Sequence, residues 1–382
     1  MKTLSYTLCA VLAAGFAFTG DAQVKPKSKK VTELKFSGRI QGQWDGIESE
    51  EVGGENRNHF YFRRLFLGGH AKVGDNWGGD IVMDFAASTN NDDTVFIDGA
   101  SVWYNHSDAL RIDVGQLKVP FGVEETTSSS KLKAIERSAV NRQFAEQLKF
   151  NARHTGIFAK GKFSDFLSYD LAVVNSGQNH TSKDSDLKDG EYGSNRNELG
   201  YYGRLTYANY ESELRHYFGA ATGVMKVGQD GGDAAYRNIA EDITAYNIFA
   251  GFGSGPFNLD AEYMFGDVSG VDHEHDGYSV QASYAISNAP AGSWELVYRY
   301  SSVENSNGEV GADEIVRRAN FDNNDWDNVA KLEQNYIGVN YLFNGHDAKF
   351  MLGYEMNKIT DNVAANGSAN ADGFRARIQF LF

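Results

Sequence analysis

Apolar and polar residues alternate with a period of two along most of the chain, in short segments separated by Gly, Asn, Asp and Ser. In residues 34–44 (LKFSGRIQGQW), even-numbered positions are apolar or glycine and odd-numbered positions are polar. Residues 372–382 (DGFRARIQFLF) show the same pattern, with Phe374 and Ile378 on the face opposite Arg375. Successive side chains of a strand point to opposite faces, so this pattern predicts strands with one apolar and one polar face.

About sixteen such segments can be counted, and only part of residues 128–147 is typical of a helix. Tight links, such as 164–166 and 254–257, alternate in places with long polar links, such as 117–152 and 177–197. About 22 residues per strand and link suit a transmembrane barrel. The predicted strands are residues 34–44, 59–73, 77–87, 94–105, 109–117, 153–164, 166–176, 198–209, 213–226, 242–254, 257–267, 277–287, 293–304, 332–343, 347–359 and 372–382.

Several features favour a membrane barrel over a soluble β-sandwich, which also alternates. Charges run along whole polar faces, as in a water-filled lumen, and closure is compulsory in lipid because open edges leave backbone groups unpaired. The terminal residue, Phe382, ends an amphipathic strand and resembles the strand that assembly machinery reads in bacterial outer-membrane barrels. The expected fold is an all-β, antiparallel transmembrane barrel of about sixteen strands. Aromatic residues near strand ends match membrane-interface girdles; they are Trp44, Tyr61, Tyr104, Tyr207, Tyr300 and Phe343.

Composition and charge fit one exported domain. A mean hydropathy of −0.46 excludes a bundle of transmembrane helices, and 25 Phe with 20 Tyr exclude disorder. The net charge of −15 argues against a nucleic-acid partner. A basic start, an apolar run and small residues predict a signal peptide at 1–22, then a flexible segment at 23–33 and a single barrel domain at 34–382. The only cysteine, Cys9, lies in that signal, so the mature chain has no disulfide.

Two stretches resemble the phosphate-selective porin O and P family. One is VGQLKVPFGVE at 114–124, followed by a serine run and IERS at 135–138, and the other is the arginine-pair strand FYFRRLFLGGHAKV at 60–73. The resemblance implies a sixteen-stranded, trimeric outer-membrane porin with a long loop, here about 117–152, folded into the lumen. It also implies passive diffusion of small hydrophilic solutes, with anions such as phosphate preferred.

The charge near this loop supports an anion preference. Residues 111–162 hold ten basic and five acidic side chains, about +5 within a chain of −15. Basic side chains at a constriction concentrate anions. The opposing observation is that acidic residues, including Asp170, Asp260 and Glu262, also fall on polar faces, so a general or oligosaccharide-permeable porin stays open. The candidate anion-binding residues are Lys118, Lys131, Lys133, Arg137, Arg142, Arg111, Arg64 and Arg39.

Other chemistry is weakly indicated. No nucleophile with partners suggests an enzyme, and an adhesive or structural barrel is the other alternative. Residues 184–190 resemble part of a calcium loop, but position twelve is Asn195 rather than Glu. The motif at 273–276 (HEHD) is interpreted as a solvated turn, so no cofactor is expected. Expected partners are outer-membrane lipid, the barrel-assembly machinery through Phe382, two further copies in a homotrimer, and small anionic solutes, with no nucleic acid.

Overall fold

The strands and helices were located in a computed structural model. It describes residues 31–49, 57–90, 95–176, 199–226, 242–268, 273–286, 292–305, 308, 310–316, 329–361 and 367–382. The strands are β1 (Val31–Ser49), β2 (Arg57–Val73), β3 (Trp77–Asp84), β4 (Phe96–Ser107), β5 (Leu110–Lys118), β6 (Arg153–Lys162), β7 (Leu167–Asn175), β8 (Leu199–Asn209), β9 (Leu214–Lys226), β10 (Asp242–Ser254), β11 (Phe257–Val268), β12 (His273–Ala285), β13 (Ser293–Asn305), β14 (Val329–Asn344), β15 (Ala348–Asp361) and β16 (Ser368–Leu381).

The sixteen strands form one closed antiparallel barrel, as the sequence predicts. Each strand pairs with its neighbours in the chain, and β1 pairs with β16. Phe382 completes this closure, because its backbone exchanges hydrogen bonds of 2.7 and 3.1 Å with that of Gly38. The Phe382 ring also lies over Gly38, where a Cβ would fall 2.2 Å from it. Closure gives each of the described strands two hydrogen-bonded neighbours, which is what a lipid environment demands.

Short and long links alternate around most of the barrel; the exception is the four-residue link after β11, which is shorter than the seven-residue link after β12. Both ends of the barrel chain, Val31 and Phe382, lie on the same side as the short links, such as 163–166, 255–256 and 345–347. In outer-membrane barrels the short turns are periplasmic and the long loops extracellular. We therefore assign the end that carries Val31 and Phe382 to the periplasm.

The two faces of the wall differ as the alternation predicts. Outward side chains are large and apolar, for example Phe60 at 84% exposure and Ile248 at 63%. Inward side chains are polar and covered, for example Asn247 and Arg299 at 0%. The low mean hydropathy is thus the average of a lipid-facing row and a lumen-facing row.

The main apolar core lies inside the barrel. The link between β5 and β6, residues 119–152, folds into the lumen and is called the inward loop. Its Phe121, Phe144 and Phe150 pack together, with ring centroids 4.9 to 6.3 Å apart. They belong to an apolar cluster that includes wall residues from β6 round to β1 and the segment 310–316 of the long link after β13. This cluster fills much of the extracellular part of the lumen.

Helical structure is short. Helices α1 (Val123–Thr126) and α2 (Ala139–Arg142), with a π-helical turn at Gln143–Gln147, lie in the inward loop, so the predicted helical part of 128–147 covers its last nine residues. Helix α3 (Ala312–Ile315) lies in the link after β13, and a 3₁₀ turn at Ala87–Asn90 follows β3. No helix in the described residues is long and apolar enough to cross a membrane.

Three details of the predicted strands were wrong. The motif at 273–276 is the start of β12 and not a turn, with His275 fully buried against Asn305. Strand β1 begins at Val31, inside the segment predicted to be flexible. Tyr61 points into the lumen, where its hydroxyl donates to Asp45 at 2.7 Å, because a bulge in β2 shifts the alternation.

Candidate functional site

The inward loop is fixed to the wall by side chains that donate to its backbone. Five consecutive strands of the wall, β13 to β16 and β1, each supply one donor to a carbonyl between residues 129 and 136. A loop whose carbonyls are bound in this way is a fixed part of the lumen wall. The bonds are Arg299 to Glu136 at 2.7 Å, Asn340 to Lys133 at 2.9 Å, Lys349 to Leu132 at 2.7 Å, Gln379 to Ser130 at 3.1 Å and Gln41 to Ser129 at 3.4 Å.

Glu136 of the inward loop is the centre of the largest ion-pair cluster at this site. It accepts from Arg63 at 2.9 Å, from Arg377 at 2.7 Å and from Arg142 at 3.4 Å. The Glu136 side chain is 5% exposed and that of Arg377 is 1% exposed. Charge-assisted bonds in a covered site are stronger than those in water.

A β-bulge delivers the arginine pair of β2 to this cluster. Gln41 of β1 is paired with Arg64 and the next residue, Gly42, with Phe62, so Arg63 is an extra residue in β2. Both arginines therefore reach lumen partners, Arg63 at Glu136 and Arg64 at the side chain of Gln41, 2.9 Å away. Strict alternation would send one of the two into lipid.

Glu125 forms a second cluster where the loop leaves the wall. Its carboxylate lies 2.5 Å from Lys118 and 3.0 Å from Arg137. Burial raises the pKa of Glu125, but the charges of Arg137 and Lys118 outweigh burial and hold that pKa below its ordinary value. The neighbouring Glu124 accepts from Arg299 at 3.1 Å. All three carboxylates of this part of the loop are thus matched to bases.

Some basic side chains have no carboxylate partner among the described residues. Arg39 donates to the hydroxyls of Ser128 and Ser129 and lies 5.2 Å from the Phe66 ring, and Lys131 is exposed on the inward loop. Two more, Arg64 and Lys349, are buried and bond only to neutral oxygens.

The larger cavity of the lumen, about 370 Å³, follows the wall from β3 to β8. Three of its four aspartates are matched to Arg or Lys: Asp98 to Arg153 at 2.6 Å, Asp170 to Arg204 at 2.9 Å, and Asp113 to Arg111 at 2.6 Å and Lys160 at 3.6 Å. The fourth, Asp80, lies 2.6 Å from Nδ1 of His70 and accepts from Trp103 at 2.8 Å. Most of the negative charge in this cavity is therefore balanced by a neighbouring base.

A smaller cavity, about 140 Å³, lies between the inward loop and β9 to β13. Lys131 and Lys133 line it from the loop, and Asp260 lines it from β11. Asp260 accepts from the hydroxyl of Tyr217 at 2.8 Å. Lys133 bonds to Ser283 at 2.6 Å, with Glu295 3.8 Å away. Both cavities are thus lined by charges of both signs.

The candidate basic residues occupy different environments. Arg142 is 2% exposed and paired with Glu136, so the structure places it away from any surface that a solute can reach, because the loop folds over it. Lys118 and Arg137 are paired with Glu125 and partly covered, with side chains 17% and 10% exposed.

The remaining candidates are more accessible, except Arg64, which is 8% exposed. Arg111 lies 4.4 Å from the Trp103 ring and is 31% exposed, and Lys133 is 20% exposed. Arg39 and Lys131 combine partial or full exposure with the lack of an acidic partner in the described chain.

The structure adds Arg63, Arg204 and Lys349 to the basic residues of the lumen. Arg204 and Lys349 fall on the polar faces of predicted strands, so alternation could have identified them. Arg63 could not be found in this way, because only the bulge turns it inward. The ion-pair partners of Arg63 and Arg204 come from distant parts of the chain, which no local pattern reveals.

The possible calcium loop at 184–190 lies outside the described residues. Within the described ranges, no group of three or more His, Cys, Asp or Glu side chains is arranged to hold a metal ion. His275 bonds to Asn305 and lies 3.2 Å from the side-chain amide of Gln143, so it takes part in packing between β12, β13 and the inward loop.

Comparisons with known proteins agree with the barrel. Porin O of Pseudomonas aeruginosa is 25% identical, covering 100% of this chain and 98% of its own. The outer membrane channel DcaP of Acinetobacter baumannii has a similar structure, with a TM-score of 0.62, 15% identity and coverage of 94% and 99% of the two chains. An anion-selective porin from Comamonas acidovorans has a TM-score of 0.61, 13% identity and coverage of 92% and 99%.

The sequence family described as phosphate-selective porin O and P matches residues 34–382, nearly the whole barrel. This match extends the resemblance of the two short motifs to the complete domain. The fold and the family are those of a channel, and they place the protein as an integral component of the outer membrane. The chain belongs to the phosphate-selective porin O and P family and is an outer-membrane porin.

Proposed function

We propose that this porin passes small anions in preference to cations. The observation that carries the proposal is that Arg39 and Lys131 are accessible at the inward loop and have no acidic partner in the described part of the chain. Three of the four acidic residues of the larger cavity are matched to Arg or Lys, and the fourth, Asp80, lies beside His70. Unmatched positive charge at a narrowing lowers the entry barrier for anions.

The path we propose follows the larger cavity along β3 to β8. Much of the remaining lumen is filled by the apolar cluster of the inward loop. Lys118 and Arg153 line this cavity next to the loop. Lys131 and Lys133 then act on the solute as it passes the loop toward the periplasm. The preference of the Comamonas acidovorans porin, named anion-selective, is consistent with this proposal.

The test is the reversal potential of single channels in a planar bilayer under a salt gradient. The wild type should give the sign expected for anions. A charge about 4 Å away contributes about 1 kcal/mol in water, so Lys131→Gln should lower the anion-to-cation permeability ratio about fivefold. Lys358→Gln is the matched control, because Lys358 is exposed at an outward-facing position of β15 and should leave the ratio unchanged.

The alternatives give different results in the same experiment. A general or oligosaccharide-permeable porin would show a reversal potential near zero, and an adhesive or structural barrel would show no steady ohmic current. Cation preference, or equal ratios for the wild type and Lys131→Gln, would contradict the anion proposal. Adding phosphate to a chloride solution then tests the solute: a drop in chloride current would support phosphate as the preferred anion.

We also propose that the channel is a homotrimer and that assembly machinery recognises Phe382. Family membership supports the trimer. The Phe382 side chain is accessible, at 48% exposure, on the periplasmic side where such machinery would meet it. An absence of metal and of any enzymatic group is part of the same proposal.

A further inference from the structure

We propose that Arg63, Arg377 and Arg142 form an anion site whose resident ligand is the carboxylate of Glu136, and that the site takes a small free monocarboxylate, such as formate, once that side chain is removed. This inference deepens the proposed function, on which it rests, because it identifies basic residues that permeating anions do not reach. Arg39, Lys131 and Lys133 then remain among the residues that act on the solute.

The hydrogen bonds to the Glu136 carboxylate are arranged like those that bind a free carboxylate ligand. Arg63 approaches with two nitrogens, at 2.9 and 3.3 Å, in the planar fork that suits carboxylates. Arg377 donates to the same group at 2.7 Å and Gln43 at 3.2 Å. These three donors come from β2, β16 and β1, so the wall holds them in place and the inward loop supplies the anion.

The local charge explains why an anion would be bound. Arg64 follows Arg63 in β2, and the charges of Arg63, Arg377 and Arg137 all act on it. Among the described residues, its side chain hydrogen-bonds to Gln41 alone. Removing the Glu136 carboxylate therefore leaves several covered guanidinium groups facing a space of carboxylate size. Uncompensated charge in a covered site is strongly unfavourable, and a free anion that fits the space relieves it.

A second buried carboxylate provides a matched control. Glu355 of β15 bonds to Arg375 at 3.1 Å, and both side chains are 1% exposed. Arg375 also contacts Asp45, at 2.9 Å. Here one arginine lies between two acids, so Arg375 keeps a carboxylate when Glu355 is removed. Removing the Glu355 carboxylate should therefore not create a binding site for a free anion.

The experiment measures the melting temperature of the folded full-length protein in detergent, in sodium chloride and in sodium formate of equal ionic strength. Glu136→Ala should melt lower than the wild type in chloride, and formate should restore most of this loss with a saturable dose dependence. Glu136→Gln should melt lower but not respond, because its amide fills the space. Glu355→Ala should lose stability equally in both salts. If Glu136→Ala is difficult to fold, the folded fraction after refolding in each salt is the readout, and formate should raise it.

Equal melting or refolding of Glu136→Ala in the two salts, including failure to refold in both, would overturn the inference. An equal formate effect in Glu355→Ala or in the wild type would also overturn it, because the effect would then be general. The reversal potential of the wild type tests the proposed function separately. An anion-selective wild type without formate rescue rejects only the inference, and a cation-selective wild type with rescue rejects only the proposed function.

Discussion

Phe144→Ala should release the inward loop without opening the barrel. Phe144 is fully buried and contacts the rings of Phe121 and Phe150, with centroids 6.0 and 6.3 Å away. Gly266 on the wall also approaches it, since a Cβ there would lie 2.8 Å from the ring. Replacing a buried Phe with Ala costs about 3–5 kcal/mol. This free energy is lost from the docking of the inward loop and not from the barrel, because the hydrogen bonds between strands do not involve Phe144.

A cost of that size raises the population of undocked loop about a hundredfold or more, since about 1.4 kcal/mol corresponds to a factor of ten. Limited trypsin digestion of the folded protein measures this population, because the inward loop contains Lys131, Lys133, Arg137 and Arg142 and must leave the lumen to be cut. Cleavage should be faster by about the same factor.

Phe163→Ala is the control for this experiment. Phe163 lies in the short link after β6 and is 68% exposed, so the same deletion there should not affect the loop. Equal cleavage rates for Phe144→Ala and the wild type would refute the idea that the aromatic cluster holds the loop in place. Complete digestion of the strands would show instead that loop and barrel unfold together.

Two further variants test packing and charge. Gly78→Ala puts a Cβ 2.1 Å from the Trp103 ring and should lower the free energy of unfolding by about 1–3 kcal/mol. A urea titration followed by gel mobility measures this change. An unchanged free energy of unfolding would mean that the ring can move aside freely. Glu125 is held below its ordinary pKa, so its contribution to loop docking is present above about pH 4.5 and lost as the pH falls through the lower folded value. Resistance of the inward loop to pepsin, a protease that is active at acidic pH, should therefore weaken on acidification, and Glu125→Gln should flatten this dependence; identical acid profiles would contradict the role of Arg137 and Lys118.

The alternation of the sequence predicted the wall well because each strand is in contact with lipid on one side and the lumen on the other. Strand β10, at Asp242–Ser254, has the bounds that the pattern indicates. The error at β12 arose where that physical contrast is absent. The start of β12 lies at its extracellular end, where His275 is packed against the inward loop and polar residues occur on both faces.

The ion pairs inside the lumen were harder to predict from the sequence. A net count of +5 near the inward loop correctly drew attention to this region, but it could not assign partners. Glu136 is paired with Arg377, 241 positions away, and Arg299 with Glu124, 175 positions away. Such pairs depend on which strands face one another across the lumen, and the bulge at Arg63 depends on register. Neither is encoded in a local period.

The bonds between Gly38 and Phe382 have a consequence for the timing of folding. They join the two ends of the barrel chain, and β1 gains its second neighbour only when β16 arrives. Until then two strand edges are open, and open edges pair readily with other chains. Contacts of such long sequence separation also form slowly. We therefore expect the chain to leave the ribosome and reach its membrane before the barrel closes, which makes a period of protected, unfolded transit a requirement of this architecture.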